Sequence, residues 1–400
     1  MSAAAPADTA LVLSGGGARA AYQVGVLKAL AMLLPGVGYG AHAVRVPTPL
    51  PIIVGTSAGA INATALASGA DDFQGAVARI VDFWENVRAE EVYRTDVYGV
   101  FRSGAHWLAA LAFSWMRPSG ARPRALLDNT PLAELLARMI DLGRVPHLLH
   151  SGALRALAVS ASSYSSGQHV TYYQSATPIK PWTRSQRLAI CEDIGVPHLL
   201  ASSAIPFVFP AQPLRLNGRR EYFGDGSIRQ LAPISPAIHL GARRVLVVGV
   251  GRLVEPPPPP VQEDAHYPSI AQIAGHALSS IFLDGLSVDI ERLLRINRTL
   301  SLLPEARREH SELHAIDVLL ISPSQRLDDI AARHVASLPR MVRALLRGVG
   351  ATDARGGALA SYLLFEAAYT RELIALGMAD TFSKRDEVLR FFRPVAAEVQ

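Results

Sequence analysis

The chain has 400 residues, of which 50% are hydrophobic and 18% are charged, and its formal net charge is +5. This composition excludes an intrinsically disordered chain and leaves ample material for a large folded core. The modest basic excess favours anionic surfaces and, with no zinc-finger or RNA-binding motif beside it, does not indicate a nucleic-acid-binding protein. The single cysteine, Cys191, excludes an intramolecular disulfide.

The first predicted strand, 10–14, ends in a run of glycines that opens directly into a predicted helix over 18–34. Apolar residues at three- and four-residue spacing support that helix. Glycines at a helix N-terminus let consecutive backbone N–H groups turn toward an anion. The loop, called the glycine loop below, consists of Ser14, Gly15, Gly16, Gly17, Ala18, Arg19 and Ala20.

Three interpretations of the glycine loop compete. A dinucleotide site needs a third glycine, where Ala20 stands, and an acidic residue about 20 residues further on. No acidic residue occurs between Asp8 and Asp71, so the dinucleotide interpretation fails on both counts. The remaining interpretations are an oxyanion hole, whose N–H donors meet the oxygen of a tetrahedral intermediate, and a purely structural turn.

A second motif follows the next apolar run, 52–54, which ends abruptly before an alanine-rich helix predicted over 58–67. The G-x-S-x-G pattern is typical of a serine held on a sharp strand-to-helix turn, with its hydroxyl exposed at the end of a sheet. The helix N-terminus favours negative charge developing nearby. The alternative is a chance match in a chain rich in alanine and glycine. The motif consists of Gly55, Thr56, Ser57, Ala58 and Gly59.

No charged side chain occurs over 46–70, a stretch long enough for a membrane span. Its prolines, glycines and polar residues favour a strand, an elbow and a buried helix instead. The first residues lack the basic and apolar regions of a secretory signal. We therefore expect a cytoplasmic protein without a cleaved signal peptide and with at most peripheral membrane contact.

Two further apolar runs, 154–160 and 169–174, predict neighbouring strands in a hairpin. The runs at 244–249 and 316–322 are typical of strands buried on both faces of a parallel sheet. Strands interleaved with helices indicate a layered α/β fold. After five consecutive prolines at 256–260, helices are predicted over 269–300, 326–346, 359–376 and 386–392.

The segment 93–127 is rich in aromatic residues and arginines. One interpretation is a mobile lid or a wall for an acyl chain, and the other is an ordinary core helix followed by a basic loop.

A third motif, Gly224-Asp225-Gly226-Ser227, places an aspartate between two glycines. Such a sequence is usually just a turn. In a loop at the end of a strand, however, it can bring a carboxylate close to a serine at the end of a neighbouring strand.

Taken in order, these motifs resemble those of the patatin-like phospholipases. The resemblance covers 9–251 and also includes Ala204-Ile205-Pro206 and Phe209-Pro210. It implies a three-layer α/β/α fold for a catalytic domain over 9–251. A mainly helical region, 252–400, would then pack on this domain or complete it. The implied activity is lipid acyl hydrolysis through a serine–aspartate dyad, with no metal and no other cofactor.

By position, the resemblance implies that Ser57 is the nucleophile and Asp225 the proton acceptor. Gly15, Gly16 and Gly17, with Ala18 and Arg19 adjoining, would form the oxyanion hole. Two residues depart from the family pattern: Ala20 replaces a glycine, and Ser227 stands where alanine or glycine is commoner. We expect altered fine geometry and retained chemistry. Because a free aspartate has a pKa of about 3.9, the dyad requires burial to raise the basicity of Asp225.

Three alternatives remain open. The first is a Ser-His-Asp triad that uses His239, His266 or His276, because these histidines follow Asp225 in the chain. A catalytically idle lipid-binding or scaffold protein of the same fold is a second alternative, and an acyltransferase with the same acyl-enzyme is a third. The expected partner is a lipid substrate, a phospholipid, lysophospholipid or related glycerolipid, presented at an anionic membrane surface.

Overall fold

The computed structural model describes residues 8–37, 45–95, 125–252, 270–304, 307–308, 310–311, 313–348 and 357–393. A ten-stranded sheet forms its middle layer. The strands are β1 (Thr9–Leu13), β2 (Ile52–Thr56), β3 (Ala156–Ser163), β4 (His169–Ser175), β5 (Thr183–Arg184), β6 (Arg187–Cys191), β7 (Gln212–Leu216), β8 (Arg219–Asp225), β9 (Arg244–Val248) and β10 (Asp317–Ile321).

Helices flank this sheet and form most of the described chain after β10. They are α1 (Ala21–Leu33), α2 (Ala58–Ala67), α3 (Phe73–Asn86), α4 (Ala89–Val92), α5 (Thr130–Met139), α6 (Arg144–His150), α7 (Val196–Ser202), α8 (Ser235–His239), α9 (Ile270–Ser279), α10 (Gly285–Ser301), α11 (Leu327–His334), α12 (Arg340–Gly348), α13 (Gly357–Leu363), α14 (Ala367–Ser383) and α15 (Arg385–Phe392). Short 3₁₀ turns occupy Gly17–Ala20, Leu34–Val37, Gly226–Arg229 and Val335–Ser337, and a π turn, Ser280–Asp284, joins α9 to α10.

The sheet order brings the candidate motifs to one edge. Strands β10, β9, β1, β2 and β3 lie side by side and run in parallel. Their carboxyl ends therefore share an edge, where loops and helix N-termini meet. The end of β8 pairs antiparallel with β3 just beyond that edge, so that Asp225 lies opposite Ala161. β4 pairs antiparallel with β3, which confirms the predicted hairpin.

Each central strand contributes side chains to two cores, one on each face of the sheet. Leu11, Leu13 and Ile53 belong to a core shared with helices such as α1, α2 and α3. Val12 and Val54 point the other way and join a core shared with α8 and α10. Because both faces are buried, these strands consist of continuous apolar runs. The arrangement confirms the predicted three-layer α/β/α fold.

Residues after the proline run contribute to both the sheet and a helical layer. β10 pairs with β9 at the sheet edge, and α14 packs along α1. The two helices approach closely at glycines: a Cβ on Gly25 would lie 2.1 Å from the carbonyl oxygen of Ile374, and one on Gly377 would lie 2.2 Å from that of Tyr22. A larger side chain at either position would push α14 away from α1.

Several predicted helices are divided in the structure. The prediction of one helix over 326–346 is wrong, because Pro339 lacks an N–H donor and forces Leu338 into an extended conformation. The predicted helix over 359–376 is also divided, since α13 ends at Leu363 and Glu366 forms a bridge with Arg88. The predicted lid segment falls mostly on 96–124, which lies outside the described residues.

One helical stretch, Gln272–Ser301, is long and apolar enough to cross a membrane by length and composition alone. In this structure, its Leu286, Ile290 and Leu293 pack into the core on one face of the sheet. Of its most apolar window, 33% is buried, and core helices of globular proteins pass the same length and composition test.

Candidate active site

Ser57 occupies a sharp turn between β2, which ends at Thr56, and α2, which begins at Ala58. Its φ of +57° lies in the left-handed region that non-glycine residues rarely adopt. The neighbouring glycines permit this turn: a Cβ on Gly55 would lie 2.4 Å from the carbonyl oxygen of Gly59, and one on Gly59 would lie 2.5 Å from that of Leu13. The predicted strand–elbow–helix arrangement is confirmed.

Asp225 lies directly beside this elbow. The Ser57 hydroxyl donates a hydrogen bond of 2.5 Å to Asp225 Oδ2, and both residues are buried. The other carboxylate oxygen accepts a hydrogen bond of 2.9 Å from the N–H of Ser227. Gly226 permits this approach, because a Cβ there would lie 2.2 Å from the carbonyl oxygen of Ser160. The fold thus joins two side chains that are separated by 168 residues of sequence.

Burial raises the pKa of Asp225 from its ordinary value of 3.8 to about 6. The cause is the loss of hydration around the charged carboxylate, which hydrogen bonds from Ser57 and Ser227 partly offset. At neutral pH, Asp225 is therefore mostly ionised, but it binds a proton far more readily than an exposed aspartate. A carboxylate with this pKa suits general base catalysis near neutral pH.

The glycine loop lies against the serine elbow. A Cβ on Gly15 would lie 2.9 Å from Cβ of Ser57, so the two backbone segments are in close contact. Gly17 begins a 3₁₀ turn with a φ of +55°, and a Cβ there would lie 2.2 Å from the carbonyl oxygen of Tyr362. The side-chain amide of Gln23 donates to the carbonyl oxygen of Ser14 at 2.7 Å and holds the start of the loop.

The Arg19 side chain is buried against helices of the C-terminal region. Its guanidinium forms an ion pair with Asp328, donates to Ser361 Oγ at 2.8 Å and lies 3.9 Å from the centre of the Tyr362 ring. The sequence predicts Arg19 for the oxyanion hole but does not identify these three partners. Of the predicted loop residues, Arg19 is the one whose side chain ties the loop to α11 and α13.

A small, largely apolar cavity of about 30 Å³ adjoins Ser57. Its wall comes from α2, α3 and α5, from the loop after α7, and from Phe365. Phe365 lies between α13 and α14 and stacks on Trp84 at a ring distance of 6.1 Å. One of the two interpretations of 93–127 was an acyl-chain wall, and no sequence pattern indicated Phe365 as a wall residue. The lining residues are Gly17, Ser57, Ala58, Ile61, Phe83, Trp84, Val92, Leu132, Leu136, Ser203, Ile205, Phe209 and Phe365.

Within the described part of the chain, the contacts of the candidate triad histidines do not include Asp225. His239 stacks on Trp182 at 4.6 Å and its ring bonds to the carbonyl oxygen of Ser235, while His276 lies in α9. His266 lies outside the described residues. His169, which sequence analysis did not single out, is buried beside the backbone of Gly226, and burial lowers its pKa to about 4. It is therefore neutral at neutral pH.

The described ranges contain no group of three or more histidine, cysteine, aspartate and glutamate side chains that could hold a metal ion.

The family model described as patatin-like phospholipase matches residues 11–238. No curated protein matches the chain. Among solved structures, VipD from Legionella pneumophila is similar, with 13% identity over 92% of this chain and 67% of that chain, and a TM-score of 0.29.

Human GIVD cytosolic phospholipase A2 in complex with methyl gamma-linolenyl fluorophosphonate is also similar. The identity is 15%, the alignment covers 96% of this chain and 58% of that chain, and the TM-score is 0.40. The present chain thus spans less than two thirds of the length of that structure. Because the family model matches more than half of the sequence, the chain belongs to the patatin-like phospholipase family.

Proposed function

We propose that this protein is a lipid acyl hydrolase in which Ser57 attacks a carboxylic ester and Asp225 accepts the serine proton. One observation carries the proposal: the 2.5 Å hydrogen bond between Ser57 Oγ and Asp225 Oδ2. Family membership supports lipid ester hydrolysis in general, and the hydrogen bond supports this particular pair of residues.

The proposed reaction begins when the carboxylate of Asp225 takes the proton of Ser57 as Oγ attacks the ester carbonyl carbon. Backbone N–H groups of the glycine loop would stabilise the negative oxygen, each contributing about 2.7–4 kcal/mol to lowering the barrier. The positive end of the α2 dipole adds to this stabilisation. Asp225 then returns the proton to the leaving alcohol, which leaves an acyl group on Ser57.

The apolar cavity supports a substrate with a hydrocarbon chain. Ile61, Leu132 and Phe209 present hydrocarbon surface next to Ser57. Burial of an acyl chain against this surface would lower the free energy of the complex by about 0.8 kcal/mol per methylene. We propose that phospholipids, lysophospholipids or related glycerolipids supply this chain. The net charge of +5 would favour their presentation at an anionic membrane surface.

The test is covalent labelling with an alkyl fluorophosphonate, read by intact-protein and peptide mass spectrometry. We expect one adduct, on Ser57, in the wild type and none in Ser57→Ala. Ser68→Ala is the matched control, because Ser68 is a buried serine that follows the far end of α2, and it should be labelled like the wild type. Free fatty acid should form from a mixed lipid panel with the wild type and Ser68→Ala, and not with Ser57→Ala. An unlabelled wild type, or an adduct elsewhere, would refute the proposal.

A further inference from the structure

The hydroxyl of Ser227 is buried next to the dyad and has no hydrogen-bond partner in regular geometry among the described residues. Ser227 is 5% exposed, and its Oγ makes no hydrogen bond of regular geometry to any described atom. An unpaired hydroxyl in a protein interior is destabilising, so its presence calls for a physical reason.

The Ser227 hydroxyl lies close to the proposed nucleophile and the proposed base. A Cβ on Gly15 would lie 2.3 Å from Ser227 Oγ and 2.9 Å from Cβ of Ser57, so both serines face the same side of Gly15. The N–H of Ser227 is bonded to Asp225 Oδ1, while Ser57 is bonded to Oδ2. The Ser227 hydroxyl also lowers the pKa of Asp225 through a hydrogen-bonding interaction with the carboxylate, so it lies close to Asp225 although it does not meet regular hydrogen-bond geometry.

A side chain from the π turn covers the same space. Cδ1 of Phe282 lies 2.9 Å from the point where a Cβ on Gly15 would be, and Phe282 is buried and stacks on Tyr362. The surroundings of the Ser227 hydroxyl are therefore polar toward Asp225 and apolar toward Phe282. A buried water needs two to four polar partners, and a hydroxyl beside a carboxylate supplies two of them.

We propose that Ser227 Oγ and the carboxylate of Asp225 together hold the water that hydrolyses acyl-Ser57. This inference rests on the proposed function, since it concerns the second half of that reaction. The water oxygen forms a bond to the acyl carbonyl carbon while one of its protons passes to Asp225. The bond between that carbon and Ser57 Oγ then breaks, and Oγ takes the proton from Asp225 as the fatty acid leaves.

This role differs measurably from that of an additional oxyanion donor. A donor to the carbonyl oxygen would assist both formation and breakdown of the acyl-enzyme, because both steps pass through a tetrahedral intermediate. A water-holding hydroxyl assists breakdown alone. Since kcat/KM reports the steps up to acylation and kcat includes deacylation, Ser227→Ala should change these two constants by different factors.

The experiment compares wild type, Ser227→Ala and Thr9→Val with a p-nitrophenyl acyl ester. Thr9 is the matched control, because its hydroxyl is also buried without a partner but lies at the other end of β1. For Ser227→Ala we expect kcat to fall about tenfold, the effect of one hydrogen bond in the transition state, with kcat/KM within about twofold of wild type. Intact-mass spectra recorded during turnover should show acyl-Ser57 accumulating in this variant only.

Equal falls in kcat and kcat/KM would overturn the inference, since the hydroxyl would then act in acylation. Unchanged constants would overturn it too. Fluorophosphonate labelling of Ser57 and a thermal melt report whether each variant is folded, and Ser227→Gly serves as a second variant without the hydroxyl. Failure of both variants to fold would assign Ser227 a structural role. If the wild type itself neither reacts nor turns over, the proposed function fails, whatever Ser227 does.

Discussion

Two regions of the molecule contribute differently to the candidate site. The family-matched region, 11–238, contains Ser57, Asp225 and the glycine loop. The described C-terminal residues, 270–393 with short gaps, contain none of the recognised motifs, yet they supply β10, the partners of Arg19 and the ring of Phe365. The contrast teaches that local motifs specify the reacting groups, whereas long-range packing supplies the walls around them.

The two regions are in close contact at the glycine loop. The carbonyl oxygen of Tyr362 lies beside Gly17, and the ring of Phe282 lies beside Gly15. Any displacement of these C-terminal residues would therefore alter the loop on which the proposed oxyanion stabilisation depends. This makes the C-terminal region part of the site's support, and the following predictions test that division of roles.

The largest effect is expected from Asp225→Asn in the family-matched region. Asparagine can keep both hydrogen bonds, accepting from the Ser227 N–H and donating to Ser57, but it cannot take a proton. We expect kcat/KM to fall on the order of 10³-fold or more, because general base catalysis is lost. Steady-state hydrolysis of a short-chain ester measures this fall, and activity above a tenth of wild type would rule out Asp225 as the base.

The same substitution should stabilise the protein in a pH-dependent manner. Burial raises the pKa of Asp225 to about 6, so the contribution of Asp225 to stability is most favourable below pH 4 and is lost as pH rises through 6. At pH 8, Asp225→Asn should therefore unfold at a higher denaturant concentration than wild type, with a free energy of unfolding larger by up to about 3 kcal/mol. At pH 3.5, the two proteins should unfold at similar denaturant concentrations. Wild-type kcat/KM should fall below about pH 6 for the same reason.

The second prediction concerns the attachment of the C-terminal region to the glycine loop. Asp328→Ala leaves the Arg19 guanidinium, whose side chain is 3% exposed, without its carboxylate partner. Removing one member of a buried ion pair costs about 3–5 kcal/mol, and we expect a loss of this order in urea unfolding. We also expect lower kcat in the folded fraction, because Arg19 belongs to the glycine loop.

Asp317→Ala is the matched control for that substitution. Asp317 pairs with Arg244, but its side chain is 61% exposed, and an exposed pair contributes about 0–1 kcal/mol. Similar losses from the two substitutions would mean that the buried pair gives no special support to the loop.

The third prediction concerns the cavity wall. Phe365→Leu should enlarge the space beside Ser57 and increase the ratio of kcat/KM for longer over shorter acyl esters by roughly four- to fifteenfold, the value of one to two buried methylenes. Phe392→Leu, at another buried aromatic residue in α15, should lower stability without changing that ratio. An unchanged ratio in both variants would show that Phe365 does not limit the acyl chain.

Whether a feature of this site could be predicted from the sequence depends on how far apart in the chain the residues that determine it lie. The Ser57 elbow follows from adjacent residues, since a buried strand, two glycines and an alanine-rich helix specify it locally. Asp225 could be assigned only through the family resemblance, because its position requires the pairing of β8 with β3. The partners of Arg19 and the place of Phe365 depend on the packing of distant helices, and no local pattern reports them.

The smallest predicted effect tests the backbone of the elbow itself. Both Ser57→Gly and Ser57→Ala should be inactive, yet the glycine variant should be the more stable by about 1 kcal/mol, because glycine adopts a φ of +57° without strain. At Ser68, where φ is −66°, the order should be reversed, with alanine more stable by roughly 0.5–1 kcal/mol. If alanine were more stable than glycine at both positions, the backbone of the elbow would not be strained at Ser57. The packing around the elbow would then have no strained conformation to maintain.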